Sequence, residues 1–354
     1  MERDRFVALD SWRGICALIV ALFHVPIWGL VHSCTLVANG YLFVDFFFVL
    51  SGFVIATVYE DRLQDGASIW RFLLRRFGRL WPLHASVLAL LIVVAIVRGD
   101  LGNDGKHAIP AIWTNVTMLH GLGTENQLTW NGPSWSIGVE WTLYVLFALL
   151  TPLGARARPW IFLACAVIGG VVLALKAPYG AASTYDFGAY RGLAGFFTGA
   201  LVTRIPRLRL GGLAEAATLA AVIAFVHFAV GLELAPVVFA AAVYVFAWSD
   251  GPLSRMLNWR PVAKLGEWSY SIYMIHAAVL ASIWAIAPLA GVVVDDNQWK
   301  VGLGVELAIY AAYTAVLVAG SAASYTLIEK PGRAWFNRLA AARKAPAEPA
   351  AVQP

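Results

Sequence analysis

The chain has 354 residues, 60% hydrophobic and 13% charged, with a formal net charge of +5 and a mean hydropathy of +0.70. A soluble globular domain carries about 25% charged residues, so this composition excludes one and indicates a polytopic membrane protein. The basic excess excludes a nucleic-acid footprint, because Lys and Arg lie in short segments between apolar runs, where they report membrane orientation.

At the N-terminus Arg3 and Arg5 precede an apolar run that Asp10 and Arg13 interrupt. The run continues to Leu30 without a small-residue cleavage site, so it reads as a retained first membrane helix rather than a signal peptide. A span needs about 20 mainly apolar residues. That rule predicts an all-α bundle of about ten transmembrane helices, near 7–30, 41–59, 80–98, 136–153, 160–176, 188–203, 213–230, 235–249, 268–290 and 301–328. With the N-terminus cytoplasmic, twenty-one of the twenty-six Lys and Arg fall on the inner side. Arg98, Lys106, Lys176, Arg191 and Lys300 fall outside. This asymmetry places both termini in the cytoplasm.

Two connections are more than loops. Residues 60–79 read as an amphipathic surface helix, with Phe72, Arg75, Arg76 and Arg79 on one face, and Gly78 and Pro82 read as a shaped turn before the third span. Residues 109–122 are apolar but too short to span, so they are expected to lie at the interface or re-enter. The sequence divides into a membrane domain, 1–335, and a disordered cytoplasmic tail, 336–354. Cys16, Cys34 and Cys165 have neither disulfide nor zinc spacing, and no metal or bound cofactor is expected.

Ionisable groups inside apolar spans mark functional sites by default. His24, Asp45 and Glu140 belong to the first, second and fourth spans, and at about 1.5 Å per residue all three fall in the outer third of the membrane. A neutral imidazole can take a proton from a hydroxyl while carboxylates orient it, which is the general-base arrangement of acyl transfer. The sequence leads us to expect His24 and Asp45 to open into one shared cavity. At the inner side Arg75, Arg76 and Arg79, with His84 following, suit bidentate phosphate recognition, although orientation and anionic lipid also account for arginines there. Asp10 and Arg13 are spaced for a local ion pair, and Arg13 shares a helix face with His24, three turns away. Ser136 lies one turn before Glu140; Tyr273 and His276 belong to the ninth span and either glue helices or line the cavity.

Four stretches carry a resemblance to a known family. They are Ala-Leu-Asp-Ser-Trp-Arg-Gly through His at 8–24, Val-Asp-Phe-Phe-Phe-Val-Leu-Ser-Gly-Phe at 44–53 with Arg-Arg-Phe-Gly-Arg-Leu-Trp-Pro-Leu-His at 75–84, Trp-Ser-Ile-Gly-Val-Glu-Trp at 135–141, and Leu-Gly-Glu-Trp-Ser-Tyr-Ser-Ile-Tyr-Met-Ile-His at 265–276 with Ile-Glu-Lys-Pro at 328–331. In content, order and spacing the chain resembles integral-membrane acyltransferase family 3. Ser11-Trp12 and Trp268 depart mildly from its usual pattern.

The resemblance implies a multi-pass enzyme of the bacterial inner membrane. It would take an acyl group, usually acetyl, from cytoplasmic acyl-CoA as co-substrate to a hydroxyl of a carbohydrate or glycolipid acceptor at the outer side. By the same resemblance His24 is the essential histidine, Arg76 and Arg79 the Arg-x-x-Arg pair, and Glu140 the carboxylate of the fourth helix. A glycolipid or polysaccharide flippase using the same groups as a proton relay is the rival reading, and a non-catalytic scaffold a third.

Overall fold

The computed structural model describes residues 6–27, 29–102, 105–286 and 302–342. Arg3, Arg5, Lys300, Arg343 and Lys344 of the charge count, and the tail from 343 onward, lie outside the described residues. Among the described residues the chain is helical, without a β-strand.

A helix lies on each apolar segment: α1 Val7–Phe23, α2 Phe43–Tyr59, α3 Gly66–Arg98, α4 Trp135–Leu150, α5 Arg158–Lys176, α6 Gly188–Val202, α7 Gly212–Phe228, α8 Ala235–Trp248, α9 Arg260–Ile286 and α10 Leu303–Ser324. A π-turn, Tyr325–Glu329, joins α10 to α11, Lys330–Ala342. Five helical stretches among the described residues are long and apolar enough to cross a membrane, namely Gly40–Tyr59, Gly66–Arg98, Gly132–Leu153, Arg158–Lys176 and Leu303–Ala342. Helix α11 runs into the stretch that the sequence assigned to the tail from 336, so an ordered helix replaces the first part of that segment.

The third segment departs most from expectation. The surface helix and the third span form one continuous helix, with Pro82 inside it. Its start is fixed by a capping box, in which the Asp65 carboxylate accepts from the Ser68 N–H at 2.7 Å and the Ser68 hydroxyl oxygen accepts from the Asp65 N–H at 3.1 Å. These bonds hold the Asp65 carboxyl below its usual range. Gly99, at φ 74°, closes the other end in the left-handed conformation. Gly78 and Pro82 do not break the helix; they are its contact with α11. A Cβ on Gly78 would stand 2.2 Å from the Phe336 side chain, and one on Gly332 would meet Pro82 at 2.6 Å.

Close approach also explains the glycines of α6, which weaken it as an isolated apolar span. A Cβ on Gly199 would lie 1.9 Å from the Val49 carbonyl oxygen, and one on Gly52 would lie 1.8 Å from that of Phe196. Helices α2 and α6 therefore meet backbone to backbone, as membrane helices do when lipid offers no hydrophobic drive to pair. Helix α1 crosses α9 in the same way at Gly14 and Gly266. Two buried carboxylates fix short connections. Glu306 on α10 accepts from the N–H groups of Leu30 and Val31 at 2.9 and 2.8 Å, and Glu215 on α7 accepts from those of Gly251 and Leu253 at 2.9 Å each. Both receive free N–H groups at helix starts, where negative charge is favoured.

Candidate active site

The packing of α1, α2, α3, α4 and α9 around the π-turn leaves a cavity of about 550 Å³. Helix α2 lines it from Val44 to Ile55, a run of ~16 Å at 1.5 Å per residue. Charged groups concentrate toward one end, where Asp10, Arg13, Arg76, Arg79, Glu267, Glu329 and Arg333 line the wall. Farther along, Ser51, Glu140 and Tyr144 face in, and Ser136 and Tyr273 line the part nearer the start of α4.

The arginines are held differently. Arg13 is engaged by its own wall, pairing with Asp10 at 3.0 Å and donating from Nε to the Ser269 hydroxyl at 2.7 Å. Arg76 donates from Nη2 to the Tyr59 hydroxyl at 2.8 Å, and its Nε is buried without a partner among the described residues. Its guanidinium carbon sits 4.9 Å from the centre of the Tyr59 ring and 5.9 Å from that of Tyr144. A half-buried guanidinium with an unused N–H is a donor prepared for an anionic oxygen. Glu329, delivered by the π-turn, accepts from the Ser271 hydroxyl at 2.9 Å. Its position in Ile-Glu-Lys-Pro was visible in the sequence but carried no assigned role.

Glu140 accepts from two hydroxyls on the same oxygen, Ser51 at 2.7 Å and Tyr144 through a short contact, and those hydroxyls are 3.0 Å apart. Ser136 and the Tyr273 hydroxyl are 2.7 Å apart. From Tyr273 a line of rings leads outward: Tyr273 and His276 have centroids 5.7 Å apart, and His276 and His24 are 4.8 Å apart. His24 closes the C-terminal end of α1, and its Nδ1 lies 2.8 Å from the Val20 carbonyl oxygen. A carbonyl only accepts, so Nδ1 carries the proton and Nε2 the lone pair. His276 makes the same kind of bond to the Tyr273 carbonyl at 2.6 Å, and its Nε2 is buried without a partner among the described residues.

Three expected placements change. Asp45 does not share a cavity with His24. It is 2% exposed, and both its oxygens are taken by Arg191 of α6, at 2.9 Å from Nε and 2.7 Å from Nη2. Arg191 also donates to the carbonyls of Tyr41 and Ser183 at 2.8 and 3.2 Å, so the pair is closed on itself. The signal was present in the sequence: Arg191 lies three residues into α6, at the depth of Asp45, yet it reads as an outer-side charge. His84 is not beside the arginines. It donates from Nε2 to the Asn115 carbonyl at 2.8 Å and stacks on His120 at 5.5 Å, under the connection between α3 and α4. Arg75 does not line the cavity. The residues the structure does gather on the cavity are Asp10, Arg13, Arg76, Arg79, Glu140, Ser136 and Tyr273, with His276 and His24 beyond them. Ser51 and Tyr144 were missed, since hydroxyls in an apolar span give no charge signal.

Comparison with known proteins supplies a chemical frame. The acyltransferase domain family matches residues 6–326. The chain is similar to the putative membrane-bound transacylase BcsY of Komagataeibacter xylinus, at 26% identity over 97% of this chain and 86% of that protein. It is also similar to the acyltransferase MdmB of Streptomyces mycarofaciens, at 24% identity over 92% and 91%. With the peptidoglycan O-acetyltransferase OatA of Listeria monocytogenes it shares 22% identity over 84% of this chain and 52% of that protein. No solved structure matches the chain.

Proposed function

The chain belongs to membrane acyltransferase family 3, and from that premise we propose that it transfers an acyl group from cytoplasmic acyl-CoA to a carbohydrate hydroxyl at the outer face of a bacterial inner membrane. The observation that carries the reading is a cavity lined by Arg76 and Arg79 toward one end and by Ser136 and Tyr273 toward the other, with the rings of His276 and His24 next in line beyond Tyr273. The arginine end faces the cytoplasm, in a bundle of ten crossings with both termini inside; the placement of Lys and Arg supports this. Acetyl-CoA is the donor we favour, and the peptidoglycan named for OatA supports a polymeric sugar acceptor.

Arg76 and Arg79 bind the donor phosphates by their planar forks, with the unused Nε–H of Arg76 among the donors. The thin pantetheine arm follows the cavity along α2. Near the far end His24, with its lone pair on Nε2, takes the proton of the acceptor hydroxyl, while Glu140 acts from within the cavity. Asp45 supports the site only through the position of α2. The test is transfer of labelled acetyl groups from acetyl-CoA to surface glycan in membranes. His24→Ala should lower the rate by about 10²–10⁴-fold, the usual contribution of a general base, with protein level unchanged. Wild-type activity in that variant overturns the assignment.

A further inference from the structure

Ser51 is bonded unlike several other hydroxyls in these helices, and although Ser271 also donates to a carboxylate, Glu329, it is fully buried and does not line the cavity. Thr57, Thr142, Ser282 and Ser321 each donate to the carbonyl one turn back, at 2.8, 3.1, 2.8 and 2.7 Å. That is how a serine or threonine in an apolar helix ordinarily satisfies its proton. Ser51 instead donates across to the Glu140 carboxylate at 2.7 Å, in the wall of the cavity. A hydroxyl hydrogen-bonded to a carboxylate, open to a substrate cavity, is a nucleophile with its base.

Its position along the cavity is also particular. On one side Tyr144, 3.0 Å from Ser51, has the Arg76 guanidinium near its ring. On the other, Phe47, one turn along α2, packs on Tyr273 at 5.7 Å, and the rings of His276 and His24 follow. Ser51 thus stands between the groups assigned to the donor and those assigned to the acceptor. A cavity of about 550 Å³ has the size of one ligand site, not two. Consecutive use by donor and acceptor needs somewhere to hold the acyl group in between.

We propose that Ser51 is that carrier: its hydroxyl, activated by Glu140, accepts the acyl group and forms a covalent acyl-enzyme midway through the membrane. The inference rests on the acyl-CoA reading above. In the donor half, the Ser51 oxygen bonds to the thioester carbonyl carbon, the carbon–sulfur bond breaks, the hydroxyl proton passes to Glu140, and CoA leaves as a thiolate beside the arginines. In the acceptor half, the acceptor oxygen bonds to the same carbon, and its proton goes to His24 Nε2. The bond to Ser51 breaks, and Glu140 returns its proton to the serine oxygen. His24 then releases a proton to solvent and the thiolate takes one up, so the cycle balances. Tyr144 shares the carboxylate but is 2% exposed, whereas Ser51 is only partly buried, so the serine is the hydroxyl open to attack.

The experiment uses full-length protein in membranes with acetyl-CoA, free labelled CoA and no acceptor. A covalent carrier exchanges label between CoA and acetyl-CoA, and digestion after acetyl labelling yields an acylated peptide containing Ser51. Ser51→Ala should lower exchange by at least about 100-fold. Ser51→Cys should move the label into a thioester that neutral hydroxylamine removes. Glycan acylation by wild type without exchange, label on Tyr144, or exchange persisting in Ser51→Ala overturns the carrier and leaves the acyltransferase reading intact. Absence of any acyl transfer by wild type overturns both. If Ser51→Ala fails to accumulate, the labelled wild-type peptide decides.

Discussion

Two arginines near α2, Arg191 buried and Arg76 half-buried, have opposite surroundings. Arg191 spends its N–H groups on both oxygens of Asp45 and on two backbone carbonyls, in a site closed to the cavity. Arg76 has one neutral partner, the Tyr59 hydroxyl, and a buried Nε without one among the described residues. The first arrangement is complete without a ligand and fixes how α6 sits on α2. The second is incomplete without an anion. Satisfaction of the charge separates structure from binding here.

The largest effect should come from opening the closed pair. Arg191→Met leaves Asp45 buried and unpaired, and should cost about 3–5 kcal/mol in detergent-solubilised unfolding. Adding Asp45→Leu should restore most of that stability, because an apolar pair can replace a buried ion pair. A single variant as stable as wild type breaks the comparison. A smaller effect is expected in the cavity. Arg79→Lys keeps the charge but loses the fork, and should raise KM for acyl-CoA about 10–100-fold, equivalent to about 1.5–3 kcal/mol, with unfolding unchanged. Smallest is Tyr59→Phe, which removes the one neutral partner of Arg76. It should raise the same KM about two- to tenfold. A loss of stability instead of affinity would make Arg76 a structural arginine like Arg191.

Much of this was legible in sequence, and the misses have a common cause. Depth is one-dimensional and can be counted along a span; azimuth cannot be assigned until the neighbouring helices are known. Ser136 and Glu140 share a face by spacing and both line the cavity. Asp45 and Ser51 are six residues apart, so they point about 120° apart around α2, one to Arg191 and one to Glu140. His84 lies about 140° around α3 from Arg79, which turns it toward Asn115 rather than the cavity. Gly78 and Pro82 looked like a turn because local propensity reports an isolated chain, and packing against α11 overrode it.

By itself the sequence determined that this chain is a membrane-embedded helical bundle of family 3, with an Arg-x-x-Arg pair, a histidine one helix length from Arg13, and a glutamate at the start of α4. Hydropathy and motif spacing are properties of a single strand of text, so no partner is needed to read them. Only the tertiary structure decided who meets whom: Asp45 with Arg191, Ser51 with Glu140, His24 with His276. Those pairings depend on which faces of separate helices come within bonding distance. In lipid that choice is made by close-fitting glycines and matched polar groups, because apolarity is the same on every side.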